Sequence, residues 1–277
     1  MAISRSKKTK LAFIAILAAG IIGLVILRAR EQRGSTSFEG NGHAGNGPSV
    51  VDELRPGQKL ASAVRIGESL SYRVSWSSFA TAATATISVP NRLYYLGNDV
   101  WDLRAQISTV NPVRRLFTID DEFTSYADVH TMVSRQYVMQ LSELGRDRTQ
   151  RFRGAQDGPT GASSGGIIPS DACDPLGALF LLRDSDLTRP LHAQVFDGKQ
   201  IYEMSAQQVG SESTAVPAGR FATSRIQVEL RGMADKNAHI GLTIWLARDA
   251  YRTPVVIEAA LPFGSLRLDL TARIPGR

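Results

Sequence analysis

The sequence predicts an all-β domain with one short buried helix, built as a strongly curved antiparallel sheet or open β-barrel, with a β-sandwich as the alternative. Three observations carry this. About ten to twelve segments alternate apolar and polar residues with a period of two, which puts one face of each in a core and the other in water. Turn signals separate them at hairpin spacing. Within the β-rich domain one segment, "DPLGALFLLR" at 174–183, has the look of a helix, and it is apolar on every side, while a transmembrane helix is expected before the domain. One-sided alternation in successive hairpins indicates antiparallel pairing. A sheet with so many strands must curl, split or close.

The strands follow in order. In "ESLSYRVSW", Leu70, Tyr72, Val74 and Trp76 alternate with Ser69, Ser71, Arg73 and Ser75. "TATISV" continues with Ala85, Ile87 and Val89, and "VWDLRAQIST" places Trp101, Leu103, Ala105 and Ile107 on one side. Later runs are Tyr137/Met139/Leu141, Leu191/Ala193/Val195, Ile226/Val228/Leu230, Ile240/Leu242/Ile244/Leu246, Val255/Ile257/Ala259/Leu261 and Leu266/Leu268/Leu270. Asp197-Gly198 reads as a hairpin turn, and "PAGRF" (217–221) and "LPFG" (261–264) supply others. The polar break "GAQDGPTGASSGG" (154–166) is long enough to be a functional loop, and a lid is the role expected of it.

The helix has a defined start. Proline fits only the first helical turn, so Pro175 marks the first helical position and Asp174 the N-cap. A helix without a polar face packs inside other structure. It is expected to lie in the concave side of the sheet, with Arg183 near its negative C-terminal end.

Four regions are expected along the 277 residues: a basic cytoplasmic N-terminus (1–10), a transmembrane signal anchor (11–28), a flexible glycine-rich linker (29–62) and a β-rich extracytoplasmic domain (63–277). The apolar run "LAFIAILAAGIIGLVIL", residues 11–27, spans roughly 26 Å as a helix, near the lower limit for crossing a bilayer. It ends in "RAREQR" with no small-x-small site beyond it, so an uncleaved anchor is favoured over a cleaved signal. The expected location is the inner membrane, single-pass, with the C-terminal domain in the periplasm. The net charge of +6 arises at this end: residues 1–33 hold seven bases and one acid, leaving 25 of 32 bases and 25 of 26 acids for the rest. A balanced folded domain is not that of a nucleic-acid binder.

Chemical motifs are few. Gly40, Gly42 and Gly45 match a dinucleotide fingerprint by spacing, but no strand precedes them, and the stretch reads as a spacer. Cys173 is the single cysteine, so no internal disulfide can form. Its neighbours Asp171 and Asp174 oppose a thiolate, which makes it structural and not a reactive thiol. His43, His130, His192 and His239 are scattered, without zinc spacing. "DDEF" (120–123) lacks a calcium-loop pattern and reads as a solvated turn or strand edge. No cofactor and no metal is expected.

With these motifs in hand, the chain resembles a bacterial envelope family catalogued as domain of unknown function 3108. The resemblance lies in "GESLSYRVSW" (67–76), "DEFTSYADVHT" (121–131), "DPLGALFLLR" (174–183), "VPAGRFATSRI" (216–226) and "WLARDAYRTPVVIE" (245–258), over roughly residues 65–272. The family signature falls on Gly67/Glu68, Asp174/Arg183 and Arg252/Pro254. The resemblance implies a secreted or membrane-tethered β-rich protein and no known activity. Glu68, Asp174, Arg183 and Arg252 are the candidate ligand-binding or motif residues, with Asp174 and Pro175 as the helix cap. Arg252 could bind an anion, but a structural ion pair with Asp174 or Glu68 is the preferred expectation.

The function expected is a non-catalytic module binding an apolar or lipid-like ligand in the concave sheet. A scaffold for an envelope protein partner is the alternative. A hydrolase using paired acids ranks last, because it needs titratable groups converging in a cleft.

Overall fold

The structure is a computed structural model and describes residues 49–50, 63–77, 79–157, 165–235, 237–261 and 264–277. The expected anchor, most of the expected linker and the centre of the 154–166 loop lie outside these residues. Among the described residues no helix is long and apolar enough to cross a membrane, which says nothing of residues 11–28.

The fifteen strands among the described residues belong to one sheet. The first half runs as an antiparallel meander: β2 (Glu68–Trp76), β3 (Phe79–Tyr95), β4 (Asn98–Thr109), β5 (Asp120–Asp128), β6 (Ser134–Glu143) and β7 (Arg146–Gly154). The second half is another: β10 (Leu191–Phe196), β11 (Ile201–Val216), β12 (Gly219–Gly232), β13 (His239–Ala247), β14 (Pro254–Leu261) and β15 (Gly264–Ile274). Nine of these twelve, β2, β3, β4, β6, β10 and β12 to β15, carry the runs the alternation predicts; β5, β7 and β11 were not among those runs. Three short ones were not legible: β1 (Ser49–Val50) on β3, β8 (Gly166–Ile168) parallel to β7, and β9 (Ala172–Cys173) parallel to β10. Two or three residues cannot display a period.

The halves join where β15 pairs antiparallel with β2, Ile274 opposite Ser69 and Leu266 opposite Trp76. The free edges are then β8 and β9. No ladder closes them, but side chains do. Phe152 on β7 meets Phe196 on β10 edge-on at 5.2 Å between ring centres. The result is a nearly closed barrel, the curled form of the two expected, and not a sandwich.

The turns fall where expected. Asp197 accepts the amides of Lys199 and Gln200 at 2.7 and 2.8 Å, and Gly198 takes a φ of +96°. Pro217 and Ala218 join β11 to β12, with Val216 opposite Gly219. The tip of this long hairpin folds over the outside of the barrel. Ala218 N–H donates to the carbonyl of Leu270 at 3.0 Å, beside an irregularity that interrupts the β15–β2 register between Leu270 and Ala272. Val216 and Phe221 pack there on Ala247, Val255 and Val256, which buries β14 on both faces.

The helix α1 (Pro175–Asp184) starts at the predicted proline and lies inside the barrel. It packs on β4, β5, β9 and β10 and against Met204, Val228, Leu242 and Ile244 on the opposite wall. Gly177 permits close approach: a Cβ there would lie 2.7 Å from the carbonyl oxygen of Met132.

The "DDEF" expectation is corrected. Asp121 is neither in a turn nor on an edge; it sits on β5 between β4 and β6, facing inward and 2 % exposed. It follows the inward parity of Phe123, Ser125 and Ala127, which local acidity does not reveal. Burial pushes its carboxyl up to about 7; the amide of Ser142, at 2.9 Å, pulls the other way, and the nearby Glu143 adds to the rise.

Candidate functional site

The family-motif residues hold the helix at both ends. At the N-terminus, Asp174 caps α1: its Oδ1 accepts the amides of Leu176 and Gly177 at 2.9 and 3.0 Å. Its Oδ2 accepts the hydroxyls of Ser125 on β5 and Ser134 on β6, the latter at 2.5 Å. The Ser134 oxygen in turn accepts the Asp174 amide at 2.6 Å. A fully buried carboxyl survives only with such partners. Burial holds it above the ordinary carboxylate range, against these four hydrogen bonds.

At the C-terminal end, Arg183 is fully buried and donates to Glu68 from two nitrogens, each at 2.8 Å. One of them also donates to the carbonyls of Ala63 and Tyr251, at 3.0 and 2.8 Å. The guanidinium lies 4.7 Å from the Phe180 ring centre. Its role is therefore a bidentate bridge from α1 to β2 and the β13–β14 turn. The expected pairing of Arg252 with Asp174 or Glu68 does not occur, because Arg183 occupies Glu68 and Asp174 is saturated by hydroxyls and amides. Arg252 sits in the β13–β14 turn with φ +45°, its amide donating to Asp249 Oδ1 at 2.9 Å. Burial draws its guanidinium below the ordinary range, and Asp184 and Asp186 oppose this. Two residues on, the carbonyl of Pro254 accepts the buried Tyr72 hydroxyl at 2.8 Å. The motif thus unites Glu68 and Arg183 directly, while Asp174 lies at the far end of α1 and Arg252 stands apart.

Among the described residues, a gap beside α1 holds about 10 Å³, lined by Leu179, Leu182, Met204 and Leu242 among others, whereas ligand pockets occupy roughly 300–1,000 Å³. Phe123, Tyr137, Phe152 and Phe196 follow one another along the seam, with ring centres 5.2–6.5 Å apart. Cys173 is 2 % exposed, and burial pushes its thiol up to about 12, Asp174 and Asp171 adding to the rise. Among the described residues no three His, Cys, Asp or Glu side chains gather to hold a metal. Nor do the acids considered for hydrolysis converge: Glu68 is ion-paired and Asp174 is a cap.

The recess that sequence reasoning missed lies outside. The outward faces of β12, β13, β14, β15 and β2 form a groove of about 530 Å³. Its lining includes Ser75, Gln227, Gly241, Thr243, Glu258 and Arg267. Thr243 Oγ1 donates to Gln227 Oε1 at 3.3 Å, and Gln227 Nε2 to Glu229 Oε1 at 3.2 Å. Glu229 also meets His239, and Arg267 bridges Glu258 and Asp269. The one local signal was Gly241 inside the alternating run "HIGLTIWLA".

The described residues thus form a nearly closed β-barrel built around one internal helix. Residues 71–271 match the profile of the family described as protein of unknown function (DUF3108), and the chain belongs to that family. The comparison with curated proteins gives no match. Among solved structures, the chain is similar to a β-barrel-like protein of the domain of unknown function DUF1849 from Brucella abortus, at 10 % identity and a TM-score of 0.44, over 76 % of this chain and 98 % of that one. It is also similar to a lipoprotein candidate from Parabacteroides distasonis, at 10 % identity and a TM-score of 0.36, over 78 % of this chain and 98 % of the other. Likeness at that level bears on neither ligand nor location.

Proposed function

We propose that the chain is a membrane-tethered, non-catalytic envelope module that works through the outside of its barrel. The observation that carries this is the helix held inside the barrel at both ends. An apolar ligand would need α1 withdrawn, against the Asp174 cap and the Arg183–Glu68 bridge, and the gap left beside the helix is too small for an acyl chain. The tether rests on the apolar run 11–27 and its flanking bases. The scaffold reading is the nearer of the two binding roles, since it asks nothing of the interior. The sheet edges do not favour strand addition: β8 and β9 are only three and two residues long, as protected edges are. A partner is therefore expected on an outer face.

Full-length protein purified from membranes and extracted with organic solvent tests the reading. Mass spectrometry should find no stoichiometric acyl lipid. One lipid retained per chain after detergent exchange would overturn it in favour of an internal apolar site.

A further inference from the structure

The geometry points to the exterior groove as a binding site for a neutral, polyhydroxylated ligand, a short stretch of glycan. This rests on the reading that the barrel works by its outer surface, and it names what one part of that surface takes.

Gly241 carries the first part of the argument. Glycine weakens a strand interior, and it is kept there for a bulge, a positive φ, a close backbone, or a ligand that must approach. Gly241 lies within β13, in register with Glu229 on β12 and Ala260 on β14, with no register shift at that point. It is not among the positive-φ glycines. A Cβ there would meet the Glu229 carboxylate oxygens at 3.8 and 3.9 Å and the Gln227 amide nitrogen at 4.0 Å, all ordinary contacts with side chains. Three of the four reasons are thereby removed. What remains is the space itself, which is the floor of a groove of about 530 Å³, within the usual range for ligand sites of roughly 300–1,000 Å³.

The lining sets the ligand class. Ser75, Ser77, Thr243 and Ser265 bring hydroxyls and Gln227 an amide, groups that both donate and accept. Two of these hydroxyls hold only long bonds: Ser75 to the carbonyl of Arg267 at 3.4 Å, and Thr243 to Gln227 at 3.3 Å. Hydroxyl hydrogen bonds are usually nearer 2.7–2.8 Å, so a ligand hydroxyl competes well for these groups. The charged members, Arg267 and Glu258, neutralise each other. Among the described residues no large aromatic or unpaired charge lines the groove, so the described lining matches neither an apolar chain nor a strong anion.

The test uses the full-length chain in detergent, titrated calorimetrically with short neutral oligosaccharides of glucose and of N-acetylglucosamine, and with their sulfated counterparts. Saturable binding of a neutral sugar is expected, with dissociation constants of about millimolar order. Gly241→Leu fills the floor and should weaken that binding at least about tenfold, with an unfolding midpoint no lower than the wild type, since leucine is less costly than glycine in a strand. Gln227→Ala, at an outward position, should weaken it in the same direction and serves if the leucine variant does not fold. Absence of saturable neutral-sugar binding, preference for the sulfated sugars, or undiminished binding by folded Gly241→Leu would overturn the inference. A lipid-free chain that fails here would leave the outer-surface reading standing and remove only the glycan.

Discussion

Arg183 is fully buried beside Glu68, and its partners include two backbone carbonyls as well. Removing one member of such a pair strands the other charge, at a cost of roughly 3–5 kcal/mol, whereas removing both costs much less than the sum. Arg183→Met should therefore lower the urea midpoint strongly at pH 7, and Glu68→Gln added to it should restore part of the loss. Strictly additive midpoints would show that the pair is not coupled. Asp121 makes a pH prediction of the opposite sign to most carboxylates. Its folded pKa is raised to about 7 from 3.8, so between those values the fold holds a proton that the unfolded chain releases. Stability from this group is greatest below about pH 4 and is lost as pH rises toward 7. Asp197, raised to about 6 by burial, acts in the same direction over a narrower window. Asp121→Asn should flatten the slope and be more stable than the wild type at pH 8, by on the order of 2 kcal/mol. A series of urea midpoints from pH 4 to 8 checks it, and a variant parallel to the wild type throughout would refute the assignment. Of these residues, the cap role of Asp174 was readable, because a cap depends on Pro175 one position away. The partner of Arg183 was not, because it lies 115 positions distant.

A ten-residue helix is marginal in water by itself, so α1 owes its stability to the barrel. Its side chains from Pro175 to Phe180 are all buried, and Phe180 is 0 % exposed. Phe180→Ala should cost about 3–5 kcal/mol. Leu116→Ala, at a position 64 % exposed, should change the midpoint little. Equal small effects in thermal or urea unfolding would mean that α1 does not fill the core. The elements were the most legible level. Most long strands announce themselves by parity, because one face must be dry and the other wet, but β5, β7 and β11 did not, β7 being exposed along most of its length. The short β8 and β9 were silent for want of length, and β14 shows where parity breaks down. Its run from Pro254 to Ile257 is buried on both faces because the β11–β12 tip folds over it, an arrangement no local pattern encodes.

At the scale of the whole molecule, two meanders share one core through the β2–β15 ladder, which pairs residues some two hundred positions apart. The curl of the sheet is what turns five outward strand faces into a groove, and what brings Phe152 to Phe196 across the unlinked seam. The sequence by itself determined that the described domain is all-β, which residues face the core, where the hairpins turn and where the internal helix starts, because alternation, turn chemistry and capping act over a few residues. Only the tertiary structure decided that the sheet nearly closes, that α1 lies inside it, that Glu68 belongs to Arg183 and not to Arg252, and that a groove lies on the outer face. Those depend on which strand meets which, and chain connectivity leaves that undetermined until the sheet has curled around a common core.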